Sequence, residues 1–169
     1  ESKEPQLISE ITYTDDERIK TTIDELDRVL GGGIVPGSLV LVGGDPGIGK
    51  STLMLQVSGS LGKNKSILYV SGEESEKQIK LRANRLGIKS EKLYILTEND
   101  MHTIEAAIRK LSPDVTIIDS IQTVYFSDLS SGPGSVSQIR ESTVKLMKIA
   151  KEIGTAVFVV GHVTKEGSL

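Results

Sequence analysis

A glycine-rich segment at residues 44–52, GDPGIGKST, constrains the fold of this chain more than any other feature of its sequence. It directly follows the apolar run LVLVG and precedes TLMLQV, in which Leu53 and Val57 lie four residues apart. A strand, a glycine-rich turn and a helix in this order form a phosphate-binding loop, in which backbone N–H groups and the positive helix end face one concavity. The segment therefore predicts a polyphosphate site and an α/β domain built around it.

The residues of this segment have distinct predicted roles. Its glycines allow the close backbone approach that a side chain would block. Lys50 supplies a positive charge for the outer phosphates, and Ser51 supplies a hydroxyl ligand for Mg²⁺. We therefore expect the nucleotide to be bound by Gly44, Asp45, Pro46, Gly47, Ile48, Gly49, Lys50, Ser51 and Thr52.

Composition narrows the class of protein further. With 169 residues and 37% hydrophobic content, the chain suits one α/β domain. The sequence has no cysteine, which excludes disulfides and cysteine-ligated zinc within it and points metal chemistry towards Mg²⁺. No segment reaches the roughly 20 apolar residues of a membrane span, so we expect a cytoplasmic protein with no membrane partner. The net charge of −3 leaves nucleic-acid binding undecided, because a local basic groove would not show in that sum.

Strand and helix patterns alternate after the phosphate loop. Near-continuous apolar runs at residues 66–71, 93–96, 115–119 and 155–160 are typical of strands covered on both faces. Together with the strand before the loop, they predict a mainly parallel sheet flanked by helices on both faces. Residues 1–18 are predicted to be a polar, flexible lead-in, and residues 19–169 to form the domain.

Helix patterns fill the intervals between these runs. One is predicted at residues 22–30, stopped by three glycines, and another at 101–111. Ser75 and Ser135 are each followed three residues later by Gln, which predicts two capping boxes, and Gly87 and Gly154 end these two helices. On the last helix we expect a buried stripe made of Val136, Ile139, Thr143, Leu146, Met147, Ala150 and Ile153.

Polar residues follow several of the predicted strands, where a parallel sheet places its ligand crevice. Asp119 is expected to support Mg²⁺; the alternative is that it caps a turn with Ser120. Glu73 is our first choice for the carboxylate that activates water, and Glu74 is the second. The alternative for both is that they complement the dipole of the helix that follows.

Two histidines and one loop are the remaining candidates for functional residues. His162 follows the last strand and either contacts the γ-phosphate or is hydrogen-bonded to its neighbours, while His102 is expected to be a polar surface residue. The loop at residues 127–134 is expected to be flexible and carries neither aromatic nor basic residues. It either contacts DNA phosphates through its backbone and hydroxyl groups or is an ordinary solvated loop.

Five motifs, GDPGIGKST, YVSGEES, VTIIDSIQT, PGSVSQIRE and GHVTKEG, occur in this order from about residue 19 to the end. Together they closely resemble the RecA-like ATPase core of the RadA (Sms) family of bacterial DNA repair proteins. The wider group of RecA, DnaB-type helicases and KaiC shares this layout. The resemblance implies a RecA-type, P-loop NTPase sheet, in which the strand ending at Gly161 lies between the phosphate-loop strand and the Asp119 strand.

The same resemblance implies a function. The resemblance implies an ATP-driven, helicase-type motor that is hexameric when full length. Such a motor uses ATP and Mg²⁺, releases ADP and binds single-stranded DNA. Such a motor promotes branch migration of recombination intermediates and has the recombinase RecA as a partner. Lys50 and Ser51 would bind phosphate and Mg²⁺, and Asp119 would support Mg²⁺. Glu73 corresponds to the catalytic glutamate, and His162 takes the place of the γ-phosphate sensor.

The resemblance also marks weaker correspondences and departures. Arg82 would lie near the adenine, and the loops at residues 127–135 and beyond Lys165 would face DNA. The family's zinc finger, KNRFG motif and Lon-like domain do not occur in this sequence, so we expect a fragment whose unaided hydrolysis is in doubt. A nucleotide-switched, KaiC-like assembly ATPase that acts on protein partners remains the alternative. A small-molecule kinase is disfavoured, because no segment is typical of an acceptor-binding lid.

Overall fold

A five-stranded parallel sheet forms the centre of the fold, in a computed structural model that describes residues 4–12, 18–44 and 49–162. The strand order is β1-β5-β4-β2-β3, so β5 lies between β1 and β4, as the family resemblance implied. The predicted α/β, RecA-like architecture is therefore confirmed. The strands are β1 (Leu39–Gly44), β2 (Ile67–Ser71), β3 (Leu93–Thr97), β4 (Val115–Asp119) and β5 (Ala156–His162).

Helices cover both faces of the sheet. Alternate residues of each strand point to opposite sides, and both sets are buried along β2 and β4. Ile67 and Tyr69 of β2 pack in one core, with the helices α1, α2 and α3 on their side. Leu68 and Val70 pack in a second core, with α4 and α5. The helices are α1 (Asp24–Val29), α2 (Lys50–Leu61), α3 (Glu76–Arg85), α4 (Met101–Leu111) and α5 (Val136–Ile153). Among the described residues, no helix is both long enough and apolar enough to cross a membrane.

The two predicted capping boxes differ in the structure. At Ser75 both hydrogen bonds form: Gln78 N donates to Ser75 Oγ at 3.2 Å, and Ser75 N donates to Gln78 Oε1 at 2.8 Å. At Ser135 only the first bond forms, since the Ser135 hydroxyl accepts from Gln138 N. The Gln138 side chain instead points into the core. The prediction of a full capping box at Ser135 is therefore wrong, because the return bond from Ser135 N to the Gln138 side chain does not form.

The predicted stripe on α5 is only partly correct. Val136 and Met147 are 60% and 42% exposed, so these two residues lie outside the buried face. Ile149 and Ser142, which the apolar spacing did not select, are fully buried. The buried face of α5 includes Gln138, whose amide bonds to the backbone of Phe126 and Ser131, so a polar residue occupies a position that apolar spacing does not select.

Candidate functional site

The carboxyl ends of four strands bring the predicted polar residues to one edge of the sheet. Gly44 at the end of β1 pairs with His162 at the end of β5. Asp119 at the end of β4 pairs with Val160 of β5 on one side and with Ser71, the last residue of β2, on the other. Because ligands of open parallel sheets bind beyond these ends, this edge is the candidate site.

The phosphate-loop helix begins where the sequence predicted. Gly49 caps α2 with a φ of +83°, a left-handed conformation that favours glycine. Lys50, the first residue of α2, is 7% exposed, and its Nζ donates to the Gly44 carbonyl at 2.6 Å. The lysine therefore reaches back to the end of β1. The predicted ligands Asp45, Pro46, Gly47 and Ile48 lie outside the described residues, whereas Ser51 and Thr52 are in the first turn of α2.

Asp119 is almost buried at this edge, with 8% of its surface exposed. The Tyr69 hydroxyl donates a hydrogen bond of 2.5 Å to Asp119 Oδ2. Burial, followed by the charge of Asp119, raises the pKa of Tyr69 far above its ordinary value, so this hydroxyl remains a donor at neutral pH. Sequence reasoning missed Tyr69, because an aromatic residue inside a strand is usually only part of the core.

The donor set fits Mg²⁺ that is shared with a nucleotide. Within the described ranges, no group of three or more His, Cys, Asp or Glu residues could hold a metal ion by itself. Mg²⁺ typically takes only one or two protein oxygens and completes its shell with phosphates and water. A hydroxyl from Ser51 and a carboxylate from Asp119 match this pattern.

Glu73 and Glu74 lie in different surroundings. Glu74 forms an ion pair with Arg82, and both side chains are largely covered, at 27% and 18% exposed. Glu73 is exposed and makes no hydrogen bond to the described part of the chain. The structure therefore separates the two adjacent carboxylates into one that is paired with a guanidinium and one that is available.

The turn that carries Glu73 is held closely. Gly72 N donates to the Asp119 carbonyl at 3.0 Å, and Asn99 Nδ2 donates to the Gly72 carbonyl at 2.8 Å. The same Asn99 amide donates to the Thr123 carbonyl at 2.8 Å, which joins the turn to the segment that follows Asp119. Asn99 was not among the predicted residues, although it follows the end of β3 and the strand-end criterion would have selected it.

His162 ends β5 in a polar environment that the described residues do not fully satisfy. Its carbonyl accepts from Gln122 Nε2 at 3.2 Å. Its Nδ1 is buried, as are Ser120 Oγ and Gln122 Oε1, and none of these three atoms has a hydrogen-bond partner among the described residues. Buried polar atoms are normally paired, so such a cluster suits a site that receives water or ligand atoms.

Arg82 lines a cavity together with a residue of the phosphate-loop helix. A cavity of about 360 Å³ is lined by Thr52 of α2 and by Arg82, Arg85 and Leu86 of the α3 region. The Arg82 Nη2 atom is buried and unpartnered within the described part of the chain. The cavity brings Arg82 close to Thr52 in the first turn of α2, and its predicted position near the adenine stays a prediction.

The loop at residues 127–134 is more restrained than its composition predicts. Gln138, fully buried, accepts from Phe126 N at 2.8 Å and donates to the carbonyls of Phe126 and Ser131, both at 2.9 Å. His102 Nε2 lies 3.1 Å from Asp128 Oδ1, and this hydrogen bond lowers the pKa of the Asp128 carboxyl. His102 is exposed, as predicted, but it also tethers the loop to α4. The predicted DNA-facing segment beyond Lys165 lies outside the described residues.

Comparisons with known proteins agree with this geometry. A family model described as "AAA domain" matches residues 3–168. The chain is 59% identical over 168 residues to the DNA repair protein RadA of Bacillus subtilis (strain 168), which covers 99% of this chain and 37% of that protein. It is 58% identical to the RadA of Halalkalibacterium halodurans, covering 98% of this chain and 36% of the relative. It is 54% identical to the RadA of Streptococcus pneumoniae, covering 100% and 40%. The chain thus spans about two fifths of the length of these relatives.

Proposed function

The chain belongs to the AAA domain family. From this premise we propose that it binds ATP with Mg²⁺, hydrolyses the bond between the β- and γ-phosphates, and couples this hydrolysis to DNA binding. The observation that carries the proposal is the meeting of Lys50, Asp119 and the Glu73 turn at one edge of the sheet. A lysine for phosphate, a carboxylate for Mg²⁺ and a carboxylate for water are the parts that phosphoryl transfer to water requires.

The nucleotide is held by the phosphate loop, with Lys50 contacting the outer phosphates. The Ser51 hydroxyl and the Asp119 carboxylate would hold Mg²⁺, which would supply positive charge for the phosphate oxygens. We assign the base to the cavity that Arg82 lines with Thr52. ADP remains in the same cradle after hydrolysis.

Glu73 orients the attacking water and accepts its proton. Glu74 is the weaker candidate, because it would have to give up its ion pair with Arg82 to reach that water. Two hydrogen bonds, from Gly72 N and from Asn99, fix the turn that carries Glu73 relative to β4. His162 Nδ1 faces a polar, unsatisfied environment at the adjacent strand end, which supports its assignment as the group that contacts the γ-phosphate.

The curated relatives are DNA repair proteins by name, which supports single-stranded DNA and recombination intermediates as substrates. We assign DNA contact to the loop at residues 127–134, in which the Ser131 carbonyl is anchored by the Gln138 side-chain amide. In the full-length protein the domain acts in a hexameric, helicase-type ring that works with the recombinase RecA in the cytoplasm during branch migration.

The test is steady-state ATP hydrolysis with Mg²⁺, with and without single-stranded DNA. We expect Glu73→Gln to lower turnover by about 100-fold or more while it preserves ATP binding, since removing a general base typically costs this much. Glu74→Gln is the matched control and should retain most of the turnover. Lys50→Ala should weaken ATP binding itself.

DNA should stimulate the wild-type chain, and the stimulation should fall as salt is raised, because phosphate contacts release counterions. Full turnover in Glu73→Gln would contradict the assignment of the base. Hydrolysis that ignores DNA under all salt conditions would contradict the DNA coupling and favour the protein-directed, KaiC-like alternative.

A further inference from the structure

A buried hydroxyl contacts the carboxylate that the proposed function assigns to Mg²⁺. Tyr69 lies in the middle of β2, fully buried, and pairs with Ile117 of β4. Ser71, two residues later on β2, pairs with Asp119. Residues two apart along a strand point to the same face, so the Tyr69 and Asp119 side chains share one side of the sheet. This side carries α2, the phosphate-loop helix.

The hydrogen bond between Tyr69 and Asp119 involves only one of the two carboxylate oxygens. Tyr69 is fully buried and packs in the same core as Met54 of α2 and Ile79 of α3. Its hydroxyl donates to Asp119 Oδ2 at 2.5 Å. Asp119 Oδ1 makes no hydrogen bond to the described residues. One oxygen of the carboxylate is therefore fixed by the protein, and the other is left for a ligand.

We propose that Tyr69 is a positioning residue, which holds the Asp119 carboxylate so that Oδ1 faces Mg²⁺ or a water bound to it. This inference rests on the proposed function, because it presupposes that Asp119 supports Mg²⁺. In this proposal the Tyr69 hydroxyl acts through Asp119 and not by contact with the nucleotide or the metal. Partners that orient a metal-binding carboxylate typically contribute 10- to 100-fold to metal affinity or activity.

The experiment compares Tyr69→Phe with Tyr94→Phe, which removes the same hydroxyl from the neighbouring strand β3, where the side chain is 48% exposed. Binding of a fluorescent, non-hydrolysable ATP analogue is measured across a Mg²⁺ titration and again in EDTA. Electron paramagnetic resonance of Mn²⁺ in the presence of the analogue reports metal binding directly. Asp119→Asn and the double variant Tyr69→Phe/Asp119→Asn complete a cycle.

We expect Tyr69→Phe to raise the Mg²⁺ concentration at half-saturation about tenfold and to leave binding in EDTA unchanged. Tyr94→Phe should match the wild type, and the double variant should be no worse than Asp119→Asn, because both changes act on one contact. An unchanged Mg²⁺ requirement in Tyr69→Phe, or an equal loss of binding in EDTA, would overturn the positioning role and leave Tyr69 as a core residue. A wild-type Mg²⁺ requirement in Asp119→Asn would instead overturn the metal assignment in the proposed function, and with it this inference.

Discussion

Substitution of Gly72 by Ala tests whether the turn before Glu73 is built by close packing. A Cβ atom at this position would lie 1.9 Å from Thr123 Oγ1 and 2.5 Å from Thr123 Cβ. Both distances are far below van der Waals contact, so the Thr123 side chain must move. Thr123 Oγ1 donates to the Ser120 carbonyl at 2.8 Å, and this bond would be lost with the movement.

The magnitude follows from these two effects. Overpacking a tight site costs about 1–3 kcal/mol, and one hydrogen bond contributes about 0.5–1.5 kcal/mol. We therefore expect Gly72→Ala to lower the free energy of unfolding by about 3 kcal/mol. For a domain of this size each kcal/mol lowers Tm by roughly 2–4 °C, so the expected shift is roughly 6–12 °C. Turnover should also fall at temperatures where the variant is still folded, because the Glu73 turn is displaced.

Urea denaturation followed by circular dichroism gives the stability change, and Gly132→Ala is the matched control. At Gly132 an added Cβ meets no atom within 4 Å, so the substitution should leave stability within about 0.5 kcal/mol of the wild type. If Gly72→Ala were as stable as this control, the turn would have room for a side chain and the packing argument would be refuted.

Three further predictions concern the α5 side of the sheet. Gln138→Leu removes three hydrogen bonds to the backbone and leaves Phe126 N and the Ser131 carbonyl without these partners, so it should cost about 2–4 kcal/mol in urea denaturation and speed amide exchange at residues 126–131. Ile149→Ala should cost about 2–5 kcal/mol, whereas Met147→Ala at the neighbouring exposed position should cost less than about 1 kcal/mol, as measured by the same denaturation. The Asp128 carboxyl should titrate below its ordinary value of 3.8 in a carbon NMR titration, and His102→Ala should raise the midpoint. Folding lowers the pKa of the Asp128 carboxyl, so its contact with His102 stabilises the loop fully at pH values above the ordinary pKa. This stabilisation is lost as the pH falls through the lowered pKa of the folded state.

Features encoded by neighbouring residues could be predicted from the sequence. The start of α2 at Lys50 and the Ser75 capping box depend on dihedral preferences and hydrogen bonds within a few residues. The positions of Asp119 and His162 at strand ends followed because apolar runs mark strands and parallel strands share one carboxyl edge. These are local patterns joined by one general rule about sheets.

Features that depend on contacts between distant segments could not be predicted. Tyr69 and Asp119 meet only because β2 and β4 are neighbours in the sheet, and no residue pattern marks that pairing. Gln138 has the spacing of a capping residue, but its side-chain oxygen accepts a hydrogen bond from Phe126 N and not from Ser135 N. In both cases the tertiary partner comes from another element, and the side chain alone does not identify it.

The strand order has a consequence for how the phosphate site comes into being during synthesis. Of the five strands that the structure describes, β1 leaves the ribosome first, but its hydrogen-bonded neighbour in the sheet is β5, which comes last among the five. Until residues 156–162 have been made, β2, β3 and β4 can pair with one another, but β1 has no place beside them. A nascent chain therefore carries its phosphate-loop sequence long before the strand beneath that loop has its neighbour, and synthesis of β5 joins β1 to the other described strands.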